Sequence, residues 1–333
     1  MPAILVTGGA GYIGSHAAKA LARAGFDPVV FDNLNNGHRW AVKWGPFVEG
    51  DLADGELLRN VMRKYGIQAV MHFAASAYVN ESMSDPSLYF QNNVVNTLNL
   101  LAAQLATGVK HMVFSSTCAT YGIPQTPLIA EDHAQAPVNP YGDSKRFIER
   151  VLSWYEHAYG LHSVSLRYFN AAGADAEGDI GEFHDPETHL IPLVIQAALG
   201  IRQYIQIFGT DYPTPDGTAV RDYIHVTDLA DAHVRALDFL LNGGTTTALN
   251  LGTGTGHSVR DVITAVEKAS GRKVPYREAG RRPGDPPQLV ADARKVKSLL
   301  GWTSKSSTLE SIVETAWRWH STHIHEVVGE AKK

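Results

Sequence analysis

Short apolar runs alternate with longer amphipathic stretches through the first half of the chain. The runs are rich in Val, Ile, Leu and Phe without a polar residue at every second position, which is typical of strands buried on both faces. The amphipathic stretches have helical length; one is Ile13–Ala24, which ends at Gly25. Another is Tyr141–Tyr159, which follows Asn139-Pro140. The predicted strands are Ala3–Thr7, Pro28–Phe31, Phe47–Glu49, Ala69–Phe73, His111–Ser115 and Ser163–Phe169.

Strand–helix alternation of this kind predicts an α/β fold with a Rossmann-like, doubly wound parallel sheet. The alternation becomes irregular near Ala171, and Ala171–Glu187 is rich in Gly, Ala and acidic residues, which predicts a loop. We therefore predict a first domain over residues 1–175 and a smaller C-terminal α/β substrate domain over 176–333. The run Ala248–Leu251 resembles a further strand of the main sheet, so segments near 220–252 are predicted to return to the first domain. The boundary between the two predicted domains is therefore interleaved.

Composition and charge exclude several classes of protein. The chain has 333 residues, with 29 Lys and Arg against 34 Asp and Glu, a formal net charge of −5. Nucleic-acid and anionic-membrane binders carry a basic excess, so we expect neither kind of partner. The single cysteine, Cys118, requires no oxidising compartment. Met1–Thr7 lacks the features of a signal peptide, and no apolar run is long enough for a membrane span, so we expect a cytoplasmic protein.

A glycine-rich turn follows the first predicted strand. Gly8, Gly11 and Gly14 are spaced G-x-x-G-x-x-G, and a helix follows. Small residues there let backbone N–H groups approach a pyrophosphate at a helix N-terminus, although such a turn by itself is also compatible with a purely structural role. Asp32, eighteen residues after Gly14, ends the second strand, where an acid accepts ribose hydroxyls and opposes a 2′-phosphate. The pattern predicts a dinucleotide site that favours NAD, with Asp51 near the adenine.

The helix that begins near Tyr141 carries a candidate catalytic pair. Tyr141 and Lys145 are four residues apart and share one helix face, although such pairs also arise by chance on solvated faces. The pair follows a strand ending in Ser115-Ser116-Thr117, whose hydroxyls are expected near the same point. Tyrosine has an ordinary pKa near 10, and we expect Lys145 and an oxidised nicotinamide to lower it. That setting suits removal of a proton from a sugar or alcohol hydroxyl.

At Gly8–Gly14 and Tyr141–Lys145 the chain resembles the extended short-chain dehydrogenase/reductase family. Three further segments are similar to the UDP-glucose 4-epimerase branch of that family, and the resemblance covers Ala3 to Trp319. It implies an isomerase of galactose metabolism that interconverts UDP-galactose and UDP-glucose. The implied steps are NAD-mediated oxidation at C4, rotation of the 4-keto intermediate and re-reduction. The three segments are Arg167–Asn170, Ile207–Thr214 and Asp216–Val226.

The resemblance also implies roles for individual residues. Tyr141 is the acid/base, Lys145 its electrostatic partner, and Thr117 a hydrogen-bond partner of the sugar's 4-hydroxyl. The implied NAD ligands are Gly8, Gly11, Tyr12, Ile13, Gly14, Asp32, Asn33, Asp51, Leu52, Phe73, Ala74, Ala75, Asn93, Tyr141, Lys145 and Tyr168. The implied ligands of the UDP-hexose are Thr117, Tyr141, Asn170, Leu190, Phe208, Arg221, Arg282 and Asp285.

Departures from the family pattern leave other functions open. Ala77 replaces a lysine that some members carry near the cofactor diphosphate, and His189 replaces an asparagine near the uridine diphosphate. Leu289 stands where strict UDP-glucose enzymes have a large tyrosine, so a UDP-N-acetylglucosamine or UDP-arabinose 4-epimerase is an alternative. A nucleotide-sugar 4,6-dehydratase is disfavoured, since Cys118 and Ala119 replace its acid/base pair. A non-catalytic NAD-sensing protein is the alternative from another class.

Neither the histidines nor the chemistry suggests a metal. The fifteen histidines form no ligand set in the sequence, and His320, His323 and His325 suggest a solvated tail.

The predicted helices Ser87–Ala106 and Tyr141–Tyr159 are apolar over more than one face. One face covers the sheet, and the surplus suggests a second partner. Because family members commonly dimerise through these two helices, we expect a homodimer.

Overall fold

The computed structural model describes residues 1–282 and 284–323. The strands are β1 (Ala3–Thr7), β2 (Asp27–Asp32), β3 (Phe47–Glu49), β4 (Ile67–His72), β5 (His111–Thr117), β6 (His162–Tyr168), β7 (Asn170–Ala172), β8 (Ile205–Phe208), β9 (Val220–Arg221), β10 (Tyr223–His225), β11 (Thr247–Leu251), β12 (His257–Ser258), β13 (Tyr276–Ala279) and β14 (Gln288–Leu289). The helices are α1 (Tyr12–Arg23), α2 (Gly55–Tyr65), α3 (Val79–Ser84), α4 (Pro86–Tyr89), α5 (Asn96–Thr107), α6 (Pro140–Tyr159), α7 (Leu190–Leu199), α8 (Val226–Leu241), α9 (Val259–Ser270), α10 (Arg294–Leu300) and α11 (Leu309–Thr322).

The main sheet has seven parallel strands in the order β11-β6-β5-β4-β1-β2-β3. Its strands are covered by helices on both faces, which explains why their sequences show no polar alternation. Each predicted strand is found, with ends within two residues of the prediction. Strand order reverses between β1 and β4, and ligands of open α/β sheets bind beside such a reversal, at the carboxyl ends of the strands. The fold is therefore the Rossmann-like α/β fold that the sequence predicted.

The two faces of the main sheet bury separate apolar clusters. One cluster lies between the sheet and the helices α1 and α8, and includes Ile4, Leu21 and Leu237. The other lies against α2, α5 and α6, and includes Phe31 and Phe114. At roughly 1.5–3 kcal/mol for each large apolar side chain, this burial is the main term that holds the sheet between its helices.

A second lobe is built from the later part of the chain. The strand pair β8–β13 and the helices α7, α9 and α11 enclose their own apolar cluster, which includes Ile195, Ile207 and Ile312. Strand β11 does not belong to this lobe but pairs with β6 in the main sheet. The chain thus returns to the main sheet after it has begun the second lobe.

Three details differ from the predicted elements. The predicted helix over 87–106 is divided into α4, a π-helical stretch Phe90–Val95, and α5. The predicted loop Ala171–Glu187 begins inside the short strand β7. His320 is buried rather than solvated, because α11 is part of the second lobe and its apolar face packs into the core of that lobe. His325 lies outside the described residues.

Over the described part of the chain, no helix combines the length and the apolar character that a bilayer span requires.

Candidate functional site

A large cavity lies at the carboxyl ends of the main strands, beneath the second lobe. Its volume is about 1510 Å³, whereas sites for one drug-sized ligand measure roughly 300–1,000 Å³. Every residue that the resemblance assigned to NAD or to the UDP-hexose lines this cavity, except Asn93. The cavity is therefore large enough for two ligands, and the two predicted sets of residues share it.

The glycine turn forms one end of the cavity. A Cβ atom on Gly14 would lie 2.2 Å from the Gly8 carbonyl oxygen, and one on Gly8 would lie 2.4 Å from the Ala74 nitrogen. Packing of the chain itself therefore excludes side chains at these two positions. A Cβ on Gly11 would meet only the Gly8 oxygen, at 3.3 Å. Gly11 precedes α1 without capping it by a side chain, so the first N–H groups of the helix remain available to an anion.

Asp32 is held in place beside this turn. Its Oδ2 accepts a hydrogen bond from the Ala10 N–H at 3.0 Å, and its Oδ1 accepts one from the Leu34 N–H at 2.9 Å. Burial raises the pKa of Asp32, while these backbone bonds act in the opposite direction. Next to it, the Asn33 amide donates to Asp51 Oδ2 at 2.7 Å. The Asp32 carboxylate is thus fixed at the cavity wall, with lone pairs left for ribose hydroxyls.

The start of α6 places Tyr141 against the end of β5. Asn139 caps the helix, its Oδ1 accepting from the Gly142 N–H at 2.8 Å. A Cβ on Gly142 would lie 2.5 Å from the Ala119 carbonyl oxygen, so only glycine allows the helix to approach so closely. This approach places the Tyr141 phenol close enough to the Thr117 hydroxyl for that hydroxyl to lower its pKa.

Lys145 lies one turn further along the same helix and is almost fully buried. Its Nζ donates to the Ser115 carbonyl oxygen at 2.8 Å. Burial lowers the pKa of Lys145 to about 7, and the nearby carboxylate of Glu149 opposes this shift. Near neutral pH, Lys145 therefore divides between its charged and neutral forms.

Burial dominates the electrostatics of Tyr141 in the chain by itself. Burial raises the pKa of Tyr141 to about 12, with the Thr117 hydroxyl acting to lower it. Lys145 does not contribute to the pKa of Tyr141 in the chain by itself, and burial leaves that lysine only partly charged near neutral pH. A phenolate at Tyr141 thus requires a further positive charge in the cavity, such as an oxidised nicotinamide.

The opposite end of the cavity carries the groups predicted for a nucleotide sugar. Helix α7 begins at Leu190, and no side chain caps it, so its first N–H groups face the cavity with the positive end of the helix dipole. Arg221 forms an ion pair with Asp285, which the sequence analysis did not foresee. The Arg282 guanidinium stacks 3.8 Å from the centre of the Phe208 ring. These groups suit an anion flanked by a flat ring.

Asn93 does not face the cavity. It is buried behind the wall, where its Oδ1 accepts from the Ser76 N–H at 2.8 Å and its Nδ2 donates to Ser144 Oγ at 3.0 Å. The neighbouring Asn92 lines the cavity instead. The sequence pattern does not distinguish the two neighbouring asparagines. The π-helical stretch that contains both decides which of them lines the cavity. Asn93 therefore connects the loop after β4 to α6 by hydrogen bonds.

The three departures from the family pattern all line the cavity: Ala77, His189 and Leu289. His189 belongs to a cluster with Glu182, His184 and Glu187. Burial opposes charge on the imidazoles, but the two carboxylates outweigh it and raise the pKa of His184 to about 9 and that of His189 to about 10.

Comparison with known proteins agrees with this geometry. The model of the NAD dependent epimerase/dehydratase family matches residues 4–252, a range that contains the glycine turn, Asp32, Tyr141 and Lys145. The chain belongs to the NAD dependent epimerase/dehydratase family. This family membership explains why a nucleotide turn and a Tyr–Lys pair share one cavity.

Relatives in the NAD dependent epimerase/dehydratase family cover nearly the whole chain. The UDP-glucose 4-epimerase of Rhizobium leguminosarum bv. trifolii is 54% identical over 318 residues, which is 96% of this chain and 97% of the relative. The crystal structure of UDP-glucose 4-epimerase from Brucella ovis in complex with NAD is 52% identical, with a TM-score of 0.94 over 96% of this chain and 98% of that one. The enzyme from Bifidobacterium longum, in complex with NAD+ and UDP, is 38% identical, with a TM-score of 0.91 over 97% and 99%.

Proposed function

We propose that the chain is a UDP-glucose 4-epimerase, an isomerase that interconverts UDP-galactose and UDP-glucose with NAD as its cofactor. One observation carries the proposal: a single cavity joins the glycine turn and Asp32 at one end to Arg221 and Arg282 at the other, with Tyr141 lining it. Relatives about half identical over nearly the full chain bear the same enzyme name.

The residues at the glycine turn fit NAD. Gly11 leaves room above the N-terminus of α1 for a diphosphate, and the Asp32 carboxylate is positioned to accept ribose hydroxyls. A 2′-phosphate would meet the Asp32 charge, so NADP is disfavoured. When bound there, NAD would supply reversible hydride transfer with C4 of the sugar.

Tyr141 is the proposed acid/base. It takes the proton from the 4-hydroxyl oxygen when C4 is oxidised and returns it when C4 is reduced. Its burial raises the cost of the phenolate, so proton removal depends on the positive charge of the bound cofactor and on the charged form of Lys145. Thr117, beside the phenol, is proposed to hold the same sugar oxygen in line for transfer.

The other end of the cavity is proposed to hold the uridine diphosphate. The first N–H groups of α7 at Leu190 and the guanidinium groups of Arg221 and Arg282 offer donors and positive charge to phosphate oxygens. Phe208 offers a flat surface, and Asp285 an acceptor for ribose hydroxyls. Firm binding at this end leaves the sugar free to turn, so that either face of C4 meets the cofactor.

A dehydratase is not favoured by the site. Such an enzyme needs a further acid/base after Thr117, and that position is Cys118. Burial raises the pKa of the Cys118 thiol to about 12, so the thiol does not exchange protons near neutral pH. The neighbouring Ala119 has no titratable group.

The test supplies UDP-galactose to the purified protein, without added NAD, and follows UDP-glucose. We expect conversion by the wild type and a large loss in Tyr141→Phe. A preparation shown to contain NAD that produces no UDP-glucose would refute the proposal. UDP-N-acetylgalactosamine and UDP-arabinose, tested on the same preparation, measure how far Leu289 widens the substrate range.

Assembly, location and the domain division are also proposals. Exposed apolar side chains lie on the π-helical stretch and on α6, including Phe90, Phe147 and Trp154, and the last of these is 68% exposed. We propose that these two regions form a homodimer; a monomer at micromolar concentration in light scattering would contradict it. The unpaired Cys118 is consistent with a cytoplasmic enzyme. Residues 1–175 are proposed to bind NAD and residues 176–333 the UDP-sugar.

A further inference from the structure

The segment between β7 and α7 gathers four side chains that are able to bind a metal ion. The ligand atoms of Glu182, His184, Glu187 and His189 all lie within 4.8 Å of one another. The side chains of both glutamates are only 5% exposed. Two carboxylates buried together are costly unless a positive charge lies between them.

The spacing within this cluster suits a tetrahedral ion. Glu182 Oε1 lies 3.3 Å from His184 Nδ1 and 3.0 Å from His189 Nδ1. The Glu187 oxygens lie 3.6 Å from His184 Nδ1 and 3.0 Å from His189 Nδ1. Nitrogen and oxygen ligands at about 2.0–2.1 Å from tetrahedral zinc are about 3.3–3.4 Å apart. The four nitrogen–oxygen distances bracket that value, so small side-chain movements would complete the geometry.

A second observation is the state of His184. Its Nδ1 atom is buried and has no hydrogen-bond partner, although a carboxylate oxygen lies 3.3 Å away. The approach of the Glu182 oxygen is not aligned as a hydrogen bond, and a cation shared with the carboxylates would satisfy this nitrogen. The lone pair of a neutral imidazole is also the commonest metal ligand in proteins.

A neighbouring acidic cluster differs from this one because a lysine lies within it. Asp175, Glu177 and Asp179 surround the Lys19 ammonium, with oxygen atoms at 2.7, 2.9 and 2.8 Å from Nζ. That cluster therefore contains its own cation. Within residues 1–282 and 284–323, Glu182 forms ion pairs with histidines and with no lysine or arginine.

We propose that Glu182, His184, Glu187 and His189 bind one divalent transition-metal ion, with Zn²⁺ as the expected occupant. Two neutral imidazoles and two carboxylates match the ligand preference of Zn²⁺ and cancel its charge. Because all four ligands come from the protein, the site is structural rather than catalytic. His189 directly precedes α7, so the ion would fix the start of that helix at the cavity wall. The inference does not depend on the proposed function.

The test uses the full chain, with its bound cofactor retained and without a histidine tag. After equilibration with Zn²⁺ and gel filtration, elemental analysis is expected to find one zinc per wild-type chain and almost none in His184→Gln or Glu182→Gln. The matched control His157→Gln, at an exposed position on α6, should retain the zinc. At 100 times the dissociation constant, zinc should raise the melting temperature of the wild type by about 4 °C. Replacement by Co²⁺ should give the visible absorption of a tetrahedral site.

Two results would overturn the proposal directly: no zinc retained by the wild type, or a Co²⁺ spectrum without tetrahedral bands. A third is zinc retained equally by the wild type and His184→Gln, which would indicate an adventitious ion only. If His184→Gln fails to fold, Glu187→Gln and the wild-type Co²⁺ spectrum decide the question. In the alternative, the cluster holds two imidazolium–carboxylate pairs, and zinc then changes neither the melting temperature nor the spectrum.

Discussion

A buried ion pair ties α6, the helix that carries Tyr141 and Lys145, to the main sheet. Arg167 of β6 donates to Glu149 of α6 through Nη2 at 2.6 Å and through Nε at 3.0 Å, and both side chains are less than one-tenth exposed. The Ser116 hydroxyl also donates to Glu149, at 2.5 Å. Since Glu149 follows Lys145 by one turn and Ser116 precedes Thr117, this pair fixes two groups of the candidate site relative to each other.

Glu149→Gln is expected to destabilise the protein strongly, because it leaves the Arg167 charge buried without a counterion. Loss of one partner of such a pair costs about 3–5 kcal/mol. At about 2.1 cal/mol/K of unfolding entropy per residue, this corresponds to a fall of about 4–7 °C in the melting temperature of a chain of this length. Arg167→Met is expected to cost a similar amount. The double variant Glu149→Gln/Arg167→Met, which buries no charge, should lose less than the sum of the two.

Calorimetry of the four proteins measures this coupling, and a pH–rate profile supplies the functional readout. Glu149 keeps the pKa of Lys145 from falling further, so Glu149→Gln should move the alkaline loss of kcat/KM to lower pH. Glu156→Gln, on the same helix but paired with His162 near the surface, is the control and should leave the profile in place. Strictly additive losses, or single variants that melt within about 1 °C of the wild type, would show that the reasoning is wrong.

Three further predictions concern the cavity. Tyr141→Phe should lower kcat about 10²–10⁴-fold with NAD still bound, whereas Tyr155→Phe on the same helix should not; equal kinetics would exclude the proposed acid/base. Gly11→Ala should fold normally but lose NAD binding in calorimetric titration, whereas Gly14→Ala should also have a lower melting temperature. Tight NAD binding by Gly11→Ala would contradict the assignment of this turn to the cofactor. Burial lowers the pKa of Lys145 to about 7, so the unfolded chain binds more protons above that pH and folding stability rises with pH. With the bound cofactor removed, the wild type should gain up to about 2.7 kcal/mol relative to Lys145→Met between pH 7 and 9, and an equal dependence of the two unfolding free energies on pH in urea would contradict this.

The sequence alone determined what depends on local pattern. Apolar runs without alternation identified the strands, and Asn139 with Pro140 identified the start of α6. Burial on both faces and helix capping are both visible within a few residues of sequence. The glycine spacing and the Tyr141–Lys145 spacing predicted a cofactor turn and a catalytic pair for the same reason.

Only the tertiary structure decided what depends on residues far apart in the chain. The choice of Asn92 rather than Asn93 as a wall residue, the pairing of Arg221 with Asp285 and the gathering of the His189 cluster depend on how separate segments pack. The same is true of electrostatics: the sequence suggested a phenol made acidic by Lys145 together with an oxidised nicotinamide, whereas in the chain by itself burial raises the pKa of the phenol and lowers that of the lysine. Desolvation is a property of the folded surroundings of a group, and no local pattern encodes it.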